Sequence, residues 1–166
     1  MEKDKDIYFM EIALQEALKA EKEGEVPVGA VVVKQEKILS IAHNQVIQLA
    51  DPTAHAEILA LRQAAKITGN YRLLDTELYV TIEPCLMCAG AIMQARIKRL
   101  IFGAFEPKMG AFGSVLNIKD FNLNHYLEIK SGIMAQEAQA LMQAFFKKRR
   151  GTEVDVTGAT RNRLVL

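Results

Sequence analysis

Residues 78–102 read LYVTIEPCLMCAGAIMQARIKRLIF, and their pattern decides the fold. Leu78 to Ile82 has the apolar, β-branched and aromatic character of a strand, Leu86 to Arg96 turns to helical spacing, and Leu100 to Phe102 returns to strand. A strand-helix-strand unit this compact implies parallel strands joined by a right-handed crossover. Working upstream, Ala54 to Thr68 spaces Ile58, Leu61 and Ala65 on one helix face, with Gly69-Asn70 as its stop. Val28 to Val33 is apolar without alternation, as in a strand covered on both faces, and Lys34-Gln35-Glu36-Lys37 separates it from Ile38 to Ala42, so the pair reads as a hairpin. Asp6 to Glu23 places Ile7, Met10, Leu14, Ala17 and Leu18 at helical spacing and stops near Gly24. Downstream, Gly103 to Asn124 carries four glycines and prolines without a period, and a loop this long in a compact domain serves a site. A short strand over Tyr126 to Ile129 and a helix over Ala135 to Arg149 complete the order. The expected fold is an α/β three-layer sandwich, helices on both faces of a central five-stranded mixed sheet.

The chain has 166 residues, half of them apolar and a quarter charged. That size and composition fit one domain, read as residues 1–150 followed by a flexible tail over 151–166. Lys plus Arg number 21 against 20 Asp plus Glu, a formal net charge of +1. Such a balance supplies no whole-molecule attraction to nucleic acid or anionic lipid, so any polyanion site must be a local patch. Two cysteines exclude a disulfide scaffold, and no apolar run approaches a bilayer span. The first ten residues mix acids and lysines, unlike a secretory leader. A cytoplasmic protein with no membrane association is the expectation.

Both cysteines, Cys85 and Cys88, fall where the third strand hands over to a helix. A helix start offers unpaired N–H groups and positive potential that favour thiolates, and residues three apart there can aim at one point. A Cys-x-x-Cys pair is open to a redox role, to half of a structural zinc knuckle, or to part of a catalytic metal site. Two thiolates cannot close a tetrahedral zinc site, and the chain has three histidines to supply a nitrogen: His43, His55 and His125. His55 begins the second helix in Pro52-Thr53-Ala54-His55-Ala56-Glu57. Within a helix, residues two apart point nearly opposite ways, so His55 and Glu57 share a site only in its first turn. One His and two Cys would leave a fourth zinc position open for a water whose pKa the metal lowers, with Glu57 to move protons. A thioredoxin-type redox pair gives His55 and Glu57 no task, and a purely structural site has no need of Glu57.

The arrangement His55-Ala56-Glu57 with Pro84-Cys85-Leu86-Met87-Cys88 matches the general signature of zinc nucleobase deaminases. The sequence resembles the cytidine deaminase superfamily. Val26 to Val31, Asp51 to Ile58, Asn70 to Leu73 and Glu83 to Ala91 look like the bacterial tRNA adenosine deaminase family, a similarity that runs through residues 7–150. The resemblance implies one Zn2+ per subunit on His55, Cys85 and Cys88, with Glu57 as the proton carrier. It further implies hydrolytic deamination of the wobble adenosine (position 34) of the tRNA anticodon stem-loop to inosine, by a homodimer. Asn44 would hydrogen-bond the base, the Ala56 backbone would help orient it, and Val26 and Ile82 would supply apolar walls. A turn residue after the second strand is the ordinary alternative for Asn44.

A flipped nucleotide needs its flanking phosphates held, and Arg62, Arg72, Lys108 and the run Lys147-Lys148-Arg149-Arg150 are the candidate cations. Four cations closing a helix also suit its negative dipole end, which leaves two readings of that run. His125 has a structural alternative to a place near the site, and His43 reads as structural. Phe105-Glu106 stands where the family carries Arg-Asp, which alters a contact to sugar or backbone and offers a ring for stacking. Ala138, where many relatives have cysteine, reads as a packing change. Two other functions compete: a deaminase of a free base or nucleotide (guanine, cytosine or dCMP), distinguished by Val26–Val31, Asn70-Tyr71-Arg72 and the basic last helix, and a non-catalytic zinc-stabilised RNA-binding module.

Overall fold

Small residues let the first helix lie close against the sheet. In the computed structural model, which describes residues 1–157, α1 (Glu2–Lys22) buries Met10, Ala13, Ala17 and Ala20. They meet the first strand at Gly29, where a Cβ would stand 1.9 Å from the Ala13 carbonyl oxygen. β1 (Gly29–Lys34) and β2 (Lys37–His43) form the expected antiparallel hairpin. Gln35 and Glu36 both hold positive φ at its turn, +49° and +62°, as a two-residue I′-type connection requires.

α2 (Ala56–Thr68) ends at Gly69 in the left-handed conformation (φ +67°), so the predicted stop is used as a C-cap. β3 (Thr76–Ile82), α3 (Leu86–Gln94) and β4 (Arg99–Ala104) make the strand-helix-strand unit, with β3 and β4 parallel. The long segment after β4 holds one 3₁₀ turn, Ile118–Asp120, and takes part in two isolated β-bridges before β5 (Glu128–Lys130) joins parallel to β4. α4 begins at Ala135 as read, but its backbone continues to Thr157, beyond the expected end at Arg149. The tail assigned to 151–166 therefore begins within this helix, and the rest of it lies outside the described residues.

The sheet order is β2-β1-β3-β4-β5, a mixed five-stranded sheet. α1 packs on β1 and β3 with α4 beside it over β4, whereas α2 covers β1 and β2 and touches α3. Alternation along the strands sorts the faces: Gly29, Tyr79, Arg99 and Gly103 look toward α1 and α4, and Leu78, Val80 and Phe102 look the other way. This is the three-layer α/β/α architecture the sequence implied. Register brings four strand termini to one edge: Gly29 of β1 opposite His43 of β2, and Ile82 of β3 opposite Ala104 of β4. α3 begins shortly after β3 at that edge, and α2 follows β2 through the loop over residues 44–55.

Candidate metal centre and active site

Local sequence shapes the approach to His55. Asp51 accepts hydrogen bonds on Oδ1 from the Thr53 backbone (2.8 Å) and hydroxyl (2.7 Å), folding the Pro52 turn so that the chain enters α2 with His55 as its N-cap. Ala56 and Glu57 then occupy the first turn, which is how two residues of the motif come to serve one point. On the other side Pro84 restricts Glu83 to extended backbone, and Cys85 becomes the N-cap of α3 with Cys88 one turn on.

The structure brings these ends together. One donor atom each of His55, Cys85 and Cys88 lies within 4.8 Å of the others, with Nδ1 of His55 3.7 Å from Cys85 Sγ and 3.5 Å from Cys88 Sγ. Tetrahedral zinc, with bonds of about 2.1 Å to nitrogen and about 2.3 Å to sulfur, has N···S edges of ~3.6 Å. The donor set fits that ion in type and in spacing. Its protons are already contested. A hydrogen bond from Cys88, with help from His55, holds the Cys85 thiol down at about 4 against burial. Donation to Cys85, together with burial, pushes Cys88 up, and the bond to Cys85 raises His55. A cation that displaces these protons meets a site already arranged for positive charge.

Glu57 is buried, 4 % exposed, beside Cys88, and burial pushes its carboxyl well above the usual carboxylate range. Asn44 leaves the end of β2 and accepts the Ala56 N–H on Oδ1 at 2.9 Å. That donor fixes the amide's orientation, so the Asn44 NH2 is the group turned away from the protein bond. The Ala56 N–H is thereby engaged within the chain. Ile82 is buried at the end of β3, and Val26, half-buried, precedes β1 at the same edge.

The cations are more scattered. Arg62 is exposed on α2 with Asp51 3.7 Å away. Arg72 stacks on the Tyr71 ring, 5.6 Å from its centroid, and lines a hollow with Lys34, Thr68 and Thr76 beyond the far end of α2. Thirteen helical residues, about 20 Å, separate that end from His55. Arg72 is thus not brought to the centre of its own chain. Lys108 is exposed in the long loop, while Lys147, Arg149 and Arg150 lie on α4, about 14 Å or more along the helix from Ala138, with Arg149 stacked on Phe145. Ala138 is buried against Gly103. Phe105 packs edge-on against Phe102, so only about half of its ring surface faces outward, and Glu106 accepts the Lys108 backbone N–H. Both ring nitrogens of His43 meet carboxylates, Glu16 and Glu23, each at 2.9 Å, tying β2 to α1. His125 donates from Nε2 to the Ile97 carbonyl (2.6 Å).

Sequence reading gave no role to two further acids at this edge. Glu25, 2 % exposed, accepts the N–H groups of Ile47 and Gln48 at 2.8 Å each, shaping the loop that leads from Asn44 toward His55. Glu83, equally buried, reaches the long loop at Phe112 and Ser114. The available signal was an acid embedded in an apolar run, beside Val26-Pro27-Val28 in one case and Thr81-Ile82 in the other.

Comparison with known proteins places this geometry. The family described as the cytidine and deoxycytidylate deaminase zinc-binding region matches residues 3–104. The tRNA-specific adenosine deaminase of Haemophilus influenzae is 52 % identical over 147 residues, 87 % of this chain and 85 % of that protein. A solved structure from work on A-to-I editing by tRNA:A34 deaminases at the wobble position is 42 % identical, with a TM-score of 0.79 over 81 % of this chain and 98 % of that one. The guanine deaminase of Bacillus subtilis is 30 % identical, with a TM-score of 0.58 over 84 % of this chain and 92 % of that one.

Proposed function

Because this chain belongs to the cytidine and deoxycytidylate deaminase zinc-binding family, we propose that it deaminates adenosine to inosine at wobble position 34 of a tRNA anticodon. The observation that carries the choice of substrate is identity: 52 % and 42 % over most of the chain to tRNA-acting adenosine deaminases, against 30 % to a guanine deaminase. A free-base deaminase would share the same centre, and a binding module without chemistry would have no use for a buried acid beside it.

His55 Nδ1 and the Cys85 and Cys88 sulfurs would hold the zinc ion. When bound, zinc supplies Lewis-acid activation of a water molecule at neutral pH. Glu57 would take one proton from this water and pass it to ring N1, then take the second from the hydroxyl now on C6 and pass it to the leaving amine, so that a C–O bond replaces C–N at C6 and ammonia departs. Asn44, its oxygen committed to Ala56, presents its NH2 to the base, and Ala56 serves by fixing that amide. Val26 and Ile82 wall the ring. Arg62, Lys108 and the α4 cations Lys147, Arg149 and Arg150 meet RNA phosphates beyond the flipped nucleotide, and Arg72 meets them at the far end of α2.

The active form is a homodimer acting in the cytoplasm, where the substrate is. An apolar hollow of about 260 Å³ between α2 and α3, lined by Ile58, Leu61, Ala65, Tyr71 and Ala91, is the face that takes the second copy. Among the described residues, no helix is long and apolar enough to cross a membrane. The deciding experiment incubates zinc-loaded protein with an anticodon stem-loop bearing a wobble adenosine and sequences the product for inosine. Rapid turnover of free guanine or cytidine, with the stem-loop untouched, would overturn the substrate assignment.

A further inference from the structure

Glu83 lies two residues before Cys85, and its main chain is held to the end of β4 by its N–H donating to Ala104 (2.8 Å). Its side chain crosses to the long loop. Oε2 accepts the N–H groups of Phe112 and Ser114, each at 3.3 Å, and Oε1 accepts the Ser114 hydroxyl at 2.5 Å. Among the described residues, no Lys or Arg pairs with this carboxylate, so backbone and hydroxyl donors carry its solvation. The loop lies so close that a Cβ at Gly110 would stand 1.8 Å from Oε2. Gly110 itself bridges Cys85 across the two segments, and Ala111 donates its N–H to the Pro84 carbonyl at 2.9 Å. Flanking this contact, Met109 and Val115 stand more than half exposed on the same segment.

We infer that Glu83 is a positioning residue for RNA substrate: its carboxylate clamps residues 110–114 against the ligand-bearing loop, so that the segment is a preformed wall of the mouth beside Cys85. A free loop at that place would be ordered only at the moment of binding, and the cost would fall on affinity for the stem-loop more than on the chemical step. The inference rests on the proposed tRNA substrate, but the clamp can be read without it. Glu83→Gln keeps an oxygen for the two N–H groups and an NH2 for the Ser114 oxygen, whereas Glu83→Ala keeps neither.

The test compares zinc-loaded wild type, Glu83→Ala and Glu83→Gln by amide hydrogen exchange, zinc content and kinetics on the stem-loop. Glu83→Ala is expected to speed exchange at Phe112 and Ser114 by about tenfold or more and to raise KM by about tenfold, with kcat and zinc content nearly unchanged, while Glu83→Gln returns both toward wild type. Unchanged exchange, unchanged KM, or a Gln variant as impaired as the Ala variant would overturn the inference. If Glu83→Ala does not fold, Ser114→Ala decides, since it deletes one bond from an exposed residue: a raised KM supports the clamp and an unchanged one refutes it. A wild type that leaves the stem-loop unmodified defeats the substrate assignment alone, and the exchange comparison still decides the clamp.

Discussion

Glu57 is almost completely buried, and among the described residues no Lys or Arg pairs with it. Burial favours its protonated form, which suits a carboxyl that must both accept a proton and return it. Gln at this position keeps shape and hydrogen bonding but cannot carry the proton. Glu57→Gln is expected to retain one zinc per chain and stem-loop binding while product formation falls by roughly 10²-fold or more. Metal analysis, a binding titration and inosine sequencing on one preparation check this, and full activity in the variant would refute the proton-carrier role. These residues were legible because the motif clusters them in sequence. Glu25 and Glu83 were not, since their partners are backbone N–H groups and one serine hydroxyl 22 to 31 residues away, which no local pattern announces.

Among the elements, helical period and stop residues located α2, α3 and α4 well at one end or both, while strand limits drifted. β3 begins at Thr76, two residues before the apolar run, because Thr76 bonds the Leu73 carbonyl through its hydroxyl and Glu77 is matched to Arg99 and Lys5. Polar residues in a strand look like loop until their partners are known. β5 lies at 128–130, later than the expected 126–129, in a register that sets Glu128 opposite Arg99. The tight contact of α1 on β1 also escaped the sequence, although its requirement is simple: Gly29 has no side chain where the Ala13 carbonyl needs the space. Gly29→Ala is expected to lower stability by about 1–3 kcal/mol, through overpacking rather than lost chemistry. Urea unfolding measures it, and a change below about 0.5 kcal/mol would show that α1 can withdraw without cost.

Taken whole, the molecule has a buried charge cluster at the other end of the strands. Asp6 of α1, with no exposed surface, receives both Arg99 terminal nitrogens (2.9 and 2.8 Å), Lys130 (2.6 Å) and the Tyr79 hydroxyl (2.9 Å). Burial alone would raise its pKa, but the bonds from Arg99, Lys130 and Tyr79 outweigh it and hold the carboxyl at about 2, below the ordinary 3.8. A depressed carboxylate stabilises the folded state above its unfolded pKa, so this contribution, about 2 kcal/mol, is whole above roughly pH 4 and is lost as pH falls through about 2. Asp6→Asn removes that dependence and leaves Arg99 and Lys130 short of negative charge. The stability gap between wild type and variant is therefore expected to be widest near pH 7 and to narrow toward pH 2, as read from urea midpoints along a pH series; a gap that does not change with pH would refute the assignment. The parallel pair β3 and β4 starts at this ionic knot and finishes at the His55 and Cys85 loops, so one pole of the molecule anchors and the opposite pole reacts. Selection can then rewrite loops at the reacting pole, and so change which base is accepted, without loosening the knot that keeps the scaffold together.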